Sequence, residues 1–168
     1  NALGGLIKVK TRDPVAERSL DTELSVGDDA LWSAGAAAGG PMAASGALAG
    51  AWRAALQHSA SDGFRANRYL GRDDTNAIDE TTARARLDWQ ASDALALGLT
   101  LMRVESDNGY DAWSLDNTRH TFSDEPGRDR QSSDVAALRA DWNTDAGFDV
   151  QAVATWMGSD LDYGYDED

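Results

Sequence analysis

Residues 82–89 read TARARLDW: Ala83, Ala85, Leu87 and Trp89 take every second position, and Thr82, Arg84, Arg86 and Asp88 take the positions between. Successive side chains of a strand point to opposite faces, so this run is a strand with one apolar and one charged face. A helix would scatter the same residues around its axis. The pattern recurs along the chain. In 15–26, Leu20, Thr22, Leu24 and Val26 oppose Glu17, Ser19, Asp21, Glu23 and Ser25. Trp32, Ala34, Ala36 and Ala38 lead to Gly39-Gly40-Pro41, and in 48–59 Leu48, Gly50, Trp52, Ala54 and Leu56 oppose Ala49, Ala51, Arg53, Ala55 and Gln57. Leu95, Leu97, Leu99 and Leu101 then oppose Ala96, Gly98, Thr100 and Met102. Ala136, Leu138, Ala140 and Trp142 form a sixth apolar face, and Phe148, Val150, Ala152, Ala154 and Trp156 a seventh. Arg103 and Glu105 break the parity of the fifth strand, which predicts a bulge or emergence into solvent there.

The fold expected is all-β and antiparallel. The uncharged stretch 30–52 invites a membrane helix, but Pro41 and Gly35, Gly39, Gly40, Gly46 and Gly50 interrupt it, and two strands around a Gly-Pro turn fit better. The connectors alternate. Tight turns such as Gly27-Asp28-Asp29 contrast with polar loops expected at about 61–80, 106–133 and from 159.

Composition narrows the function. Asp and Glu number 29 against 15 Lys and Arg, a net charge of -14 that phosphate backbones would repel, so nucleic acid is not an expected partner. With no cysteine, disulfides, thiolate metal sites and Cys nucleophiles are excluded. The apolar residues are mainly Ala, Leu and Trp, thin material for a globular interior. His58 beside Ser59, and His120 in a loop, come with no GxSxG or HExxH motif, so no enzyme is expected, and no metal or cofactor. Asp160, Asp162, Asp166, Glu167 and Asp168 raise a soluble calcium-binding or adhesive domain as an alternative, without EF-hand spacing.

Strands with one apolar and one charged face, joined by short turns on one side and long loops on the other, have the design of an outer-membrane β-barrel. Lipid requires the apolar face, while a wet lumen accommodates Arg53, Arg84, Arg86, Asp88, Arg139, Asp141 and Asp149 as ion pairs. Trp89, Trp142 and Phe148 fall beside short turns, as one aromatic girdle requires, and Trp32 and Trp156 fall to the opposite rim. Trp52 sits mid-strand on this reading. A soluble antiparallel sandwich shares the alternation but not the short-long rhythm of connectors. A small porin-like or enzymatic barrel is the other membrane alternative.

Residues 4–14, GGLIKVKTRDP, alternate Leu6, Lys8 and Lys10 with Ile7, Val9 and Thr11 and stop at Asp13-Pro14, predicting a short strand that closes one unit before the next begins. The start, NALGGLIKVK, lacks the features of a signal peptide. The run ending in Thr11-Arg12-Asp13-Pro14 resembles the plug-to-barrel junction of TonB-dependent outer-membrane receptors. The similarity continues in SDGFRANRYLGRDDTNAIDETTARARLDWQASDALALGLTL, similar to the family's third to fifth barrel strands, and in SDNGYDAWSLDNTRHTFSDEPGRDRQ, similar to its next extracellular loop.

The resemblance implies the end of a plug domain at 1–14 and the N-terminal part of a transmembrane barrel at 15–168, of about 22 strands when complete. It also implies the bacterial outer membrane as location and a TonB-type energy-coupling protein as partner. The implied activity is import of a scarce nutrient, such as a siderophore or another chelated or organic cargo. Cargo contacts are expected from the loops, at Phe64, Arg65, Asn67, Arg68 and Tyr69 and at Asn108, Tyr110, Asp111, Trp113 and Asp116.

Overall fold

A computed structural model describes residues 4–5, 9–42, 49–114, 116 and 118–166. One antiparallel sheet holds seven strands in chain order: β1 (Ser19–Val26), β2 (Trp32–Pro41), β3 (Gly50–Ser61), β5 (Ile78–Ser92), β6 (Leu95–Tyr110), β8 (Gly127–Asn143) and β9 (Asp149–Gly164). Two short strands, β4 (Ala66–Asn67) and β7 (His120–Thr121), pair in parallel inside the loops. The sheet is a single open layer, neither a closed barrel nor two packed sheets, and β1 and β9 each pair on one side.

The register keeps the expected faces in phase. One rung of the ladder runs Leu20, Ala38, Ala54, Ala85, Leu101, Ala136, Trp156, all on the apolar face. In β1 this rung touches the lower edge of the apolar run, and in β9 its upper edge. The run itself has the same length in β5, β6, β8 and β9, ending at Ala83 and Trp89, Leu95 and Leu101, Ala136 and Trp142, and Val150 and Trp156. The apolar surface is therefore a band whose edges stay level across β6, β8 and β9 and step up from β6 toward β1, on average by about one residue per strand over the whole sheet, a mean slope of about 35° from a rise of ~3.3 Å per residue and a strand spacing of ~4.8 Å. That lies in the range of strand tilts in closed membrane barrels.

Nothing in the described chain covers this band. Leu24 is 75% exposed, with Leu20, Leu56, Leu101, Leu138 and Trp156 exposed as well, while Ala51 is the single buried apolar side chain among the described residues. The aromatics bound the band. Trp89 and Trp142 lie at its lower edge beside the turns at 93–94 and 144–148, and Trp32 and Trp156 lie at the upper edge. Trp52 corrects its expected mid-strand position: β3 begins at Gly50, opposite Trp89, which places Trp52 on the lower rim too.

Above the band the strands continue where polar loops were expected. Strand β6 reaches Tyr110, β8 starts at Gly127, and β9 runs through 159–164. No bulge occurs at Arg103; the register there is unbroken and the irregularity sits between Gln90 and Ser92. Arg103 instead emerges into solvent, paired with Asp134 at 2.8 Å and with Glu105, and Arg128 and Arg130 bind Asp162 and Asp107 on the same outward face.

The strand expected at 4–14 is not formed at 4–5 and 9–14; Leu6, Ile7 and Lys8 lie outside the described residues. A strand exists through its ladder partners, and Val9 to Pro14 have none; Arg12 and Asp13 reach the sheet through side chains, while Lys10 pairs with Asp13 inside the segment.

The β1–β2 hairpin turns through Asp29 and Ala30, both at φ 55°, closed by Leu31 N–H on Asp28 C=O at 3.1 Å. Two left-handed residues match the twist of the flanking strands, and alanine is disfavoured there by its Cβ. Ala30→Gly is expected to stabilise the protein by about 0.5–1 kcal/mol in a denaturant titration. Unchanged or lowered stability would mean that the turn is not left-handed at this position.

Candidate functional site

The connectors at 62–77 and 111–126 rise from the same end of the sheet as the β1–β2 turn and dock on each other. Backbone bonds Ala66 N–H to Arg119 C=O and Arg68 N–H to Thr121 C=O, both 2.9 Å, join β4 to β7. So short a ladder is marginal alone. A buried carboxylate secures it. Asp111 Oδ2 accepts from Asn67 Nδ2 at 2.9 Å, Thr75 Oγ1 at 2.7 Å and Thr121 Oγ1 at 2.6 Å, and Oδ1 accepts from Ser123 Oγ at 2.7 Å. Asn67 also donates to Ser123 C=O and accepts from Leu70 N–H. Two glycines let the loop seat this closely: a Cβ on Gly63, at φ 84°, would collide with Asn76 C=O, and one on Gly109 with Thr75 C=O.

Burial pushes the Asp111 carboxyl up, but hydrogen bonds from Thr121, Ser123, Thr75 and Asn67 outweigh it, and the pKa lies below the ordinary carboxylate value. The carboxylate stays charged with neutral donors alone.

Of the expected cargo contacts, Asn67 and Asp111 are each 1% exposed and form the interior of this loop unit. Asn108, on β6, donates to Glu80 at 2.9 Å and accepts from Asp79 N–H, and Asp116 organises its own turn by accepting from Ser114 and Thr118 hydroxyls. Arg65 lies 5.1 Å over the Phe64 ring and donates to Thr118 C=O, Arg68 donates to His120 Nε2 at 2.7 Å, and the Tyr110 ring packs against that of Tyr163 at 5.0 Å with a tilt of 60°. Phe64, Tyr69 and Trp113 turn outward, Tyr69 at 67% exposure. Thr75, Thr121 and Ser123 were missed as partners because loop hydroxyls carry no pattern that pairs them with a distant carboxylate.

The second polar centre is the face opposite the band. Arg53 stands directly across from Arg86, and Arg84 lies two residues from Arg86 on the same face. Arg53 binds Asp21 at 2.9 Å, Arg86 binds Asp88 at 2.9 Å and also Asp13, and Arg139 binds Asp141 at 2.9 Å. Residues 10–14 lie over this face: Lys10 pairs with Asp13 at 3.1 Å and Arg12 with Asp21 at 3.3 Å. Asp149 begins β9.

His58 Nδ1 meets Thr81 Oγ1 at 2.9 Å and Asp79 Oδ1 at 3.8 Å, and its ring lies 4.9 Å from that of Trp32. Asp160 and Asp162 lie on β9 rather than in an acidic loop, and among the described residues no three His, Cys, Asp or Glu side chains are grouped to hold a metal ion. Comparison with protein-family models, with curated proteins and with solved structures finds no match.

The depressed pKa of Asp111 sets a pH dependence. Its contribution is complete above the unfolded carboxylate pKa, about 4, and is lost as pH falls through the lower folded value. Amides in 62–77 and 111–126 should have high hydrogen-exchange protection factors at pH 7 that fall below about pH 4. Asp111→Asn should exchange fast already at pH 7, because its amide turns N–H groups toward donors, with docking weakened by about 3 kcal/mol. Equal protection in variant and parent would reject the carboxylate as the anchor.

Proposed function

We propose that the sheet is part of the wall of an outer-membrane transport barrel of the TonB-dependent receptor type, which binds a scarce nutrient at its loops and imports it. The observation that carries this reading is the exposed apolar band. Its edges step up across the sheet on average as tilted strands require, tryptophans line both edges, and ion pairs stand on the opposite face. In water such a surface would drive aggregation, whereas in lipid it is the required exterior. The unpaired edges of β1 and β9 call for further strands, since an open edge is not tolerated in a bilayer. Residues 10–14, ion-paired to the polar face, suit the end of a plug that fills the lumen. A TonB-type protein would couple import to energy from the inner membrane.

Cargo recognition on this reading falls to the outward-facing loop side chains Phe64, Tyr69 and Trp113, with Arg65, Arg68 and Tyr110 beside them, held in place by the Asp111 network rather than assisted by it. Deleting 110–116 would remove that anchor along with the contacts, so point changes are the cleaner probe. Tyr69→Ala with Trp113→Ala in the intact receptor should reduce cargo binding about tenfold or more while assembly is unchanged. Uptake at the parental level would refute these loops as the recognition surface.

The membrane reading has its own test. Leu99→Arg, in the middle of the band, should destabilise folding into lipid vesicles by about 2–4 kcal/mol, whereas Thr100→Arg on the opposite face should fold normally. If both variants fold alike, the band does not face lipid.

A further inference from the structure

We propose that Arg84, together with Arg12 and Arg53, forms a binding site for an oxyanion, a carboxylate or a phosphate, on the polar face of the sheet beneath residue Thr11. A recess of about 260 Å³ is lined by Thr11, Arg12, Arg53, Ala55 and Arg84, with no acidic side chain among them. This concentration of positive charge stands in a chain whose net charge is -14.

The arginines differ in what they already hold. Arg53 binds Asp21 and Ser19, and Arg86 binds Asp13 and Asp88. Arg12 shares the same Asp21 oxygen. Among the described residues, Arg84 makes no hydrogen bond and no ion pair, although acids stand on either side of it. Asp21 and Glu23 line the adjoining recess of about 320 Å³ with Arg84, yet Asp21 is engaged by Arg12 and Arg53.

Guanidiniums directly opposite and diagonal to each other repel, so Arg53, Arg84 and Arg86 on neighbouring strands are unfavourable unless anions lie between them. Asp21 displays the grip available: one carboxylate oxygen held by two guanidiniums at 3.3 and 2.9 Å. A second anion in the recess would meet Arg84 and the far sides of Arg12 and Arg53. The planar fork of arginine suits carboxylate and phosphate alike, and Thr11 adds a hydroxyl. Ala55, opposite Arg84, leaves the space.

Two sources supply such a group: inorganic phosphate, or a small organic carboxylate. Calorimetric titration of the intact protein in detergent, with inorganic phosphate and with citrate against chloride at equal ionic strength, separates them. Binding heat specific to phosphate or citrate, weakened about tenfold in Arg84→Gln and kept in the outward-facing control Arg103→Gln, establishes a free anion. No heat specific to either anion overturns the proposal, as does binding that Arg84→Gln leaves intact. Arg84→Lys keeps the charge without the fork and should bind with intermediate strength, which separates loss of the anion from loss of fold. The site does not depend on what crosses the barrel, and its failure would leave the behaviour of Leu99→Arg untouched.

Discussion

The phase of the hydrogen-bonded ladder is the constraint on which the rest depends. Side chains alternate along a strand, so a slip of one residue between any two neighbours would turn a whole strand inside out. From Leu20 to Trp156 no such slip occurs, and the large apolar residues of the band stay on one face while Arg53, Arg84, Arg86 and Arg139 stay on the other. The one irregularity, between Gln90 and Ser92, lies beyond Trp89 at the turn end, where an extra residue changes the connection without changing the phase of Trp89 and Leu97. The sheet has scarcely any core of its own, so its stability rests on ladder bonds, cross-strand ion pairs and whatever medium covers the band.

Where the band ends, the chemistry that holds strands together changes. Below Leu101 neighbouring side chains touch through apolar surface; above it, on the same face, Arg103, Arg128 and Arg130 bridge to acids across strands. Exposed pairs of this kind contribute little individually, about 0–1 kcal/mol, but they help keep the extended strands in register where no apolar surface does so. The loops face the same lack of apolar material and meet it differently, by burying one carboxylate among hydroxyl and amide donors. A polar hub of this type holds geometry tightly while each donor is satisfied and fails as a unit when one is not.

These two zones explain what was legible in the sequence. Parity was readable wherever one face was apolar, and so the limits of β2 and the faces of all seven strands followed from residues such as Leu95, Leu97, Leu99 and Leu101. The same strands above the band carry polar residues on both faces, for example Glu105 beside Ser106 and Asp160 beside Ser159, so period two vanishes and the sequence reads as loop. Strand limits at 103–110, 127–134 and 159–164 were invisible for that reason. The Asp111 network was invisible for another: Asn67 and Asp111 lie 44 residues apart, and only the docking of two loops joins them. The reading of 4–14 as a strand took alternation alone as sufficient, when pairing is what makes a strand.

The N-terminal segment and the wall beneath it form one electrostatic unit. Arg53 opposite Arg86 is an unfavourable pair in isolation, and Asp88 neutralises only part of it. Asp13 supplies a further partner to Arg86, while Arg12 adds positive charge at Asp21, which Arg53 already holds. The segment therefore relieves repulsion at one end of the arginine cluster and increases it at the other, next to Arg84. Lifting it away would remove Asp13 from Arg86 and Arg12 from Asp21 together, leaving Arg86 to Asp88 and Asp21 to Arg53 alone. The position of residues 10–14 and the charge state of the polar face are thus linked, through side chains that the alternating pattern of 82–89 placed there.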